Sequence, residues 1–185
     1  MVQEVRILDN RKEKTTFTIV DAQSVKDTDT AKNKGYDAGK KVSGIKRHIA
    51  VDTNGLPHAM YVTTADVTDR NGAVDMLKKH NDNLSQVQNI LVDAGYAGEK
   101  FANSVSEILG CTVEVVKGSE MHVFKVIPKR WVVERSFSWL DKCRRLWKNC
   151  KRYLHTSLQI ELLRNKNLKF IVRHSFVSFV IISMS

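Results

Sequence analysis

Apolar and polar positions alternate over residues 17–20, a period of two that predicts a buried strand running into Asp21. Residues 26–44 break that pattern with Lys, Asp and three glycines (Gly35, Gly39, Gly44), and read as a loop. Two more strands are expected at 46–53 and 56–64, antiparallel and joined by Asn54-Gly55, a pair suited to the positive backbone angles of a tight hairpin. The spacing turns helical over 69–80, where Ala73, Met76 and Leu77 share one side. A fourth strand at 87–92 leads into Asp93, a second helix follows at 98–109, and residues 112–117 alternate as a fifth strand. The last strong element is a helix over 131–153. Its stripe of Val133, Phe137, Leu140 and Trp147 faces a core, and Glu134, Ser138, Asp141 and Arg145 share a neighbouring polar side. The order βββαβαβα predicts an α/β domain, a mixed sheet flanked by helices.

Composition changes this picture in one respect. A chain of 185 residues forms one domain with its own core, and 42% hydrophobic with 27% charged residues excludes global disorder. The net charge of +10 is concentrated: residues 121–175 hold 14 Lys/Arg against 3 Asp/Glu, whereas residues 1–120 hold 16 against 17. Clustered cations are the footprint of a polyanionic partner, with a solvated basic helix face as the plain alternative. Cys111, Cys143 and Cys150 are an odd number without ligand spacing and read as reduced thiols of a cytosolic protein, with no zinc set. The amino terminus is too polar for a signal peptide. The apolar tail at 176–185 is about half of a spanning helix, and Lys169, Arg173 and His174 interrupt its extension, so no membrane role is expected.

The candidate chemistry lies in three acids. Asp21 and Asp93 each end an apolar run, and Glu134 lies near the start of the last helix. Two carboxylates from strand ends and one from a helix suit a pair of divalent cations, which activates an attacking oxygen and stabilises the leaving oxygen of a phosphodiester. Spacing alone does not select them. The chain has 20 acidic residues, strand ends favour polar turn residues, and a first-turn Glu also complements a helix dipole.

The local strings around these acids select them. Asp21-Ala22-Gln23-Ser24-Val25-Lys26 resembles the segment at the first catalytic aspartate of bacterial insertion-sequence transposases of the DDE type. Asp37-Ala38-Gly39-Lys40-Lys41 and Gly44-Ile45-Lys46-Arg47-His48-Ile49-Ala50-Val51-Asp52 look like the family's following loop and strand. Asp93-Ala94-Gly95-Tyr96 is similar to the second aspartate motif, and Arg130-Trp131-Val132-Val133-Glu134-Arg135 to the glutamate helix. The similarity covers residues 17–163, and the group it resembles most is the one named for insertion sequence five, within the four-like superfamily. Where that superfamily places a tyrosine before the motif arginine and a lysine after the glutamate, this chain has Ile127 and Asp141, with Lys142 one position on.

The resemblance implies a ribonuclease-H-like fold and a transposase that cleaves DNA and transfers its strands. Asp21, Asp93 and Glu134 would be both the catalytic set and the ligands of two Mg²⁺ ions, for which Mn²⁺ can substitute. Arg130, Arg135, Lys142, Arg144, Arg145 and Lys148 are the expected DNA contacts along the last helix. Its partners would be element ends and target DNA, in a dimer or higher assembly, in the bacterial cytoplasm with the nucleoid. Family members carry a further amino-terminal region, which makes this chain a second-frame or partial product with an amino-terminal partner. The expected organisation is an extension at 1–15, a catalytic domain at 16–165 and an atypical tail at 166–185. An inactive remnant that binds DNA, and a nuclease without strand transfer, are the alternatives. His48 is expected on a strand surface, and Trp131, Trp139 and Trp147 in the core or in helix packing.

Overall fold

The computed structural model describes residues 2–116, 130–143 and 146–162, with only the backbone of Arg130. Its strands are β1 (Phe17–Lys26), β2 (Gly35–Asp37), β3 (Val42–Val51), β4 (Pro57–Thr64), β5 (Asn89–Asp93) and β6 (Thr112–Val116). The helices are α1 (Val2–Leu8), α2 (Asp69–Lys79), α3 (Asn81–Leu84), α4 (Glu99–Leu109) and α5 (Arg130–Asp141), followed by α6 at 154–162. One mixed sheet runs β2-β3-β1-β5-β6, with β4 also on β3. The pairs β1–β3, β2–β3 and β3–β4 are antiparallel, whereas β1–β5 and β5–β6 are parallel. The mixed α/β architecture and the order expected from the hydrophobic periods are both present, with α1, β2, α3 and α6 added.

Strand alternation divides the core into two faces. Val20, Ala50, Ile90 and Val92 pack on one side with Ala73 and Met76 of α2 and Phe101 and Val105 of α4. Ile19, Ile49, Val51 and Leu91 pack on the other side with Val132, Val133, Phe137 and Leu140 of α5. Residues two apart on a strand share a face, so Asp21 follows Ile19, and Asp93 follows Leu91, onto the α5 side.

Several expectations are corrected. β1 does not stop at Asp21. It continues to Lys26 because β3 pairs with it along its length, with Asp21 opposite Ile49 and Lys26 opposite Gly44. The stretch read as a loop contains β2, and β3 begins at Val42 rather than at residue 46. The final helix ends at Asp141 instead of reaching 153. Beyond it the chain is tied to the end of β1: Asn149 N–H donates to Lys26 O (2.8 Å), and Thr28 N–H donates to Asn149 O (3.0 Å). A helix continuing through 149 could not make those bonds. Trp147 is consequently off the stripe and 57% exposed, and Trp131 is 54% exposed, so neither is a core residue.

His48 is fully buried, not on a surface. Its Nε2 lies 3.0 Å from Thr63 Oγ1, and burial depresses its pKa to about 4. α2 lies so close over this ring that a Cβ on Gly72 would stand 2.1 Å from it. Gly72→Ala is therefore expected to destabilise the fold by about 1–3 kcal/mol through overpacking, outweighing about 1 kcal/mol of helix propensity. Urea unfolding checks this: the midpoint falls in the variant.

The first residues pack onto the domain through α1. Arg6 of α1 is buried and its guanidinium donates to the fully buried Asp52, which also accepts from Arg11 (3.1 Å). His58 Nε2 lies 3.4 Å from the same carboxylate, and the N–H groups of Asn54 and Leu56 donate to it at 2.9 and 3.0 Å. Burial alone would raise the pKa of Asp52, but His58, Arg11 and these N–H donors lower it to about 2. The network shapes the β3–β4 turn, whose Gly55 adopts φ +79° and lies against α5. Among the described residues, no helix is long and apolar enough to cross a membrane.

Candidate active site

β1 and β5 run parallel with Phe17 opposite Asn89, Thr18 opposite Ile90 and Ile19 opposite Leu91. Continued two residues past that paired stretch, the same offset carries Asp21 to the level of Asp93. Both aspartates line a narrow cleft between the strand ends and α5. Its walls are Ile19, Val20 and Asp21 of β1, Leu91, Val92 and Asp93 of β5, Val116 of β6 and Val133 of α5. One oxygen of each aspartate is fixed by backbone. Ala22 N–H donates to Asp21 Oδ1 at 2.7 Å, and Gly95 N–H donates to Asp93 Oδ1 at 2.8 Å. The second bond caps a short 3₁₀ turn at Ala94–Tyr96, so the motif's glycine and aspartate act together.

Glu134 lies one residue beyond the cleft-lining Val133, about 100° further round the helix, and is exposed. Among the described residues, no three His, Cys, Asp or Glu side chains stand together as a ligand set for a metal. The fold puts Asp21 and Asp93 on the walls of one cleft and Glu134 on the helix whose Val133 lines the same cleft. That helix is held firmly. Ser136 Oγ donates to Gly55 O (3.3 Å), and Arg135 donates to Asn54 O (3.3 Å). At its other end, Asp141 accepts from Gln23 (2.7 Å) and pairs with Arg47 (3.5 Å). Asp141 is thus a carboxylate engaged with both β1 and β3.

The expected DNA contacts fare unevenly. Arg135 lies with its guanidinium 4.5 Å from the Trp131 ring centre and 4.9 Å from that of Trp139, and burial lowers its pKa. Lys142 is exposed in the turn after α5, and Lys148 sits off the helix with Nζ 4.6 Å from the Trp147 ring centre. The side chain of Arg130, both Arg144 and Arg145, and Ile127 lie outside the described residues, as does the tail at 166–185.

Sequence reading missed several groups beside the aspartates. Tyr96 is 1% exposed and its hydroxyl has no hydrogen-bond partner among the described residues. Burial raises its pKa far above the usual phenol range, and the negative field of Asp21, Asp69 and Asp93 raises it further. Lys46, 4% exposed, bridges Asp69 (2.8 Å) and Asp37 (3.2 Å). Lys40 Nζ donates to Ala22 O (3.2 Å) and to Asp69 (3.3 Å), which puts a cation beside the strand that carries Asp21. The loop-like composition around Lys40 concealed this, although Asp69, first in its helix, was a visible cue.

The donor chemistry fits a hard divalent cation. Mg²⁺ is commonly held by one or two carboxylates together with phosphate oxygens of a substrate, and Asp21 with Asp93 offers such a pair on rigid strands.

Comparison with known proteins agrees with this geometry. The family described as the transposase DDE domain matches residues 12–164. A curated relative from Burkholderia cepacia, assigned as the transposase for insertion sequence element IS402, is 30% identical over 112 residues, covering 56% of this chain and 52% of the relative. The chain spans about half the length of that relative. Among solved structures, the catalytic core domain of BIV integrase superposes with a TM-score of 0.51 at 11% identity, covering 88% of this chain and 98% of that one. A chain of the simian T-cell lymphotropic virus intasome, solved with PP2A regulatory subunit B56 gamma, gives 0.52 at 17% identity, covering 80% and 47%. The fold is the ribonuclease-H-like fold of retroviral integrase cores.

Proposed function

We propose that this chain, which belongs to the transposase DDE domain family, cleaves DNA and transfers strands in a divalent-metal-dependent reaction. The observation that carries the reading is that Asp21 and Asp93, each two residues past the paired stretch of adjacent parallel strands, line one cleft with Val133 of the helix that bears Glu134. Asp21 and Asp93 would hold the metal, with Glu134 as the third acid. When bound, a pair of divalent ions supplies the charge that activates an attacking oxygen and stabilises the leaving oxygen of a phosphodiester.

The chain's own contribution is placement. Backbone N–H groups fix one oxygen of each aspartate, so the strands present preset donors rather than mobile ones. The Asn54–Gly55 turn and the Asp141 contacts hold α5 at both ends, which limits where Glu134 can go. Lys40 offsets negative charge next to β1. DNA ends and target DNA are the proposed substrates, and the protein would work as a dimer or larger assembly with an amino-terminal DNA-recognising partner. Membership in the insertion-sequence-five group is part of the same proposal.

Supercoiled plasmid incubated with the chain and Mg²⁺ should be nicked, and a labelled 3′ end should become joined to target DNA. Chelation should stop both reactions. Nicking without joining would indicate a nuclease. Binding without either reaction would indicate a catalytically silent domain and overturn the proposal.

A further inference from the structure

At the far end of β1, two basic stretches that lie more than a hundred residues apart in the chain are sewn into one surface. Lys32 N–H donates to Arg152 O (3.2 Å), Asn149 Nδ2 donates to the Asp27 carboxylate (2.6 Å), and Ser157 Oγ donates to Asn149 Oδ1 (2.7 Å). With the backbone bonds joining Asn149 to Lys26 and Thr28, this seam is as fixed as a strand pairing. The bonds also use Asn149 completely, at 5% exposure, so the residue is a fastener rather than a ligand group.

Outward, the seam shows two large rings among cations. Trp147 is 57% exposed and Tyr153 46% exposed. Lys148 Nζ lies 4.6 Å from the centre of the first ring and Lys32 Nζ 5.9 Å from that of the second, while His155 stacks on Tyr153 with 5.8 Å between ring centres. Lys32 and Arg152 are exposed, and Lys151 is half-buried. Asp27 is engaged with Asn149, which leaves Asp29 as the exposed acid between residues 26 and 34. Isolated exposed rings are ordinary, but rings set between lysines match the alternation of base and phosphate along a nucleic-acid strand.

We propose that this seam is a contact surface for unpaired DNA, with Lys32, Lys148, Lys151 and Arg152 on phosphates and Trp147 and Tyr153 stacking bases. The inference rests on the reading of the chain as a DNA-processing domain and adds a second DNA site to it. Five residues of β1 separate Asp21 from Lys26, roughly 17 Å at strand rise. Bases would be held open there, at a distance from the cleaved phosphodiester.

Fluorescence anisotropy of the full chain at low salt, with a labelled single strand and the matching duplex, tests this. The double variant Trp147→Ala/Tyr153→Ala should lose about tenfold or more in single-strand affinity and little on duplex. Tyr153→Phe, which keeps the ring, should retain wild-type affinity and a wild-type unfolding midpoint. Lys32→Glu/Arg152→Glu should weaken both substrates and lower the single-strand salt slope by about 0.7 for each cation lost. If wild type binds DNA and all variants bind as tightly, the seam is not a DNA surface, although the domain reading survives. If wild type binds neither substrate, both fail together.

Discussion

Asp93→Asn should reduce DNA cleavage at least a hundredfold while leaving DNA affinity intact or slightly raised. The substitution keeps the shape of the side chain and its bond from Gly95, but it removes the negative charge that a divalent cation requires. Losing even a partner that merely orients a metal ligand typically costs about 10–100-fold, and a ligand itself costs more. Binding should not suffer, because a carboxylate beside a phosphodiester repels it. Asp21→Asn should behave in the same way, since the two positions are level on neighbouring strands. Glu134→Gln makes the sharper comparison. An equally large loss would mean that the glutamate acts with the aspartates in the reaction. Nicking rates and anisotropy on the same preparations separate chemistry from binding.

The second large effect is on stability. Asp52→Ala leaves the Arg6 guanidinium, 4% exposed, without its carboxylate, and also strips the acceptor from Arg11, His58 and two backbone N–H groups. Breaking a buried pair from one side costs about 3–5 kcal/mol, a large part of the roughly 5–15 kcal/mol that holds a domain together. The variant should therefore unfold at a much lower urea concentration, or fail to accumulate. Asp52→Asn should lie between, since it can still accept from Asn54 and Leu56.

The pH dependence of this network has a definite sign. The folded pKa of Asp52 is about 2 against 3.8 for an unperturbed aspartate. Its contribution is then fully present above about pH 4 and is lost as pH falls through the folded value, because protonation favours the unfolded chain. Urea midpoints of wild type and Asp52→Asn should converge over that window, and a constant gap down to the lowest pH would contradict the assignment. The same network ties α1 to the turn that contacts Arg135 and Ser136, so its loss should also slacken the helix of Glu134.

The order of elements was legible because the apolar period changes sharply from two to helical and back. The two aspartates were legible because each follows a run that becomes a central strand, and neighbouring parallel strands bring such positions level. Other features were obscured by partners distant in the chain. His48, beside the basic pair Lys46 and Arg47, reads as a strand-surface residue, yet all three are buried. Each is accommodated by a specific contact: Lys46 by Asp37 and Asp69, Arg47 by Glu161 at 2.5 Å, and His48 by Thr63. No local pattern announces such pairings.

The early end of α5 was hidden for a similar reason. Residues 142–153 have adequate helical spacing, but hydrogen bonds to β1 from across the chain override it. Of the basic residues expected along the last helix, the three whose side chains are described divide between the Trp131–Arg135–Trp139 stack, the turn at Lys142 and the seam at Lys148. The α1 segment also escaped notice, since its Arg6 finds the partner that justifies its burial only through the β3–β4 turn.

The central claim is that Asp21 and Asp93 form a divalent-cation site within this chain. The most direct measurement is thermal unfolding of wild type and Asp93→Asn with increasing Mn²⁺, since an ion that binds only the folded state raises its stability without any need for DNA. The account predicts a concentration-dependent rise in the midpoint of wild type that is absent from the variant. Equal rises in both proteins, or none in either, would contradict it.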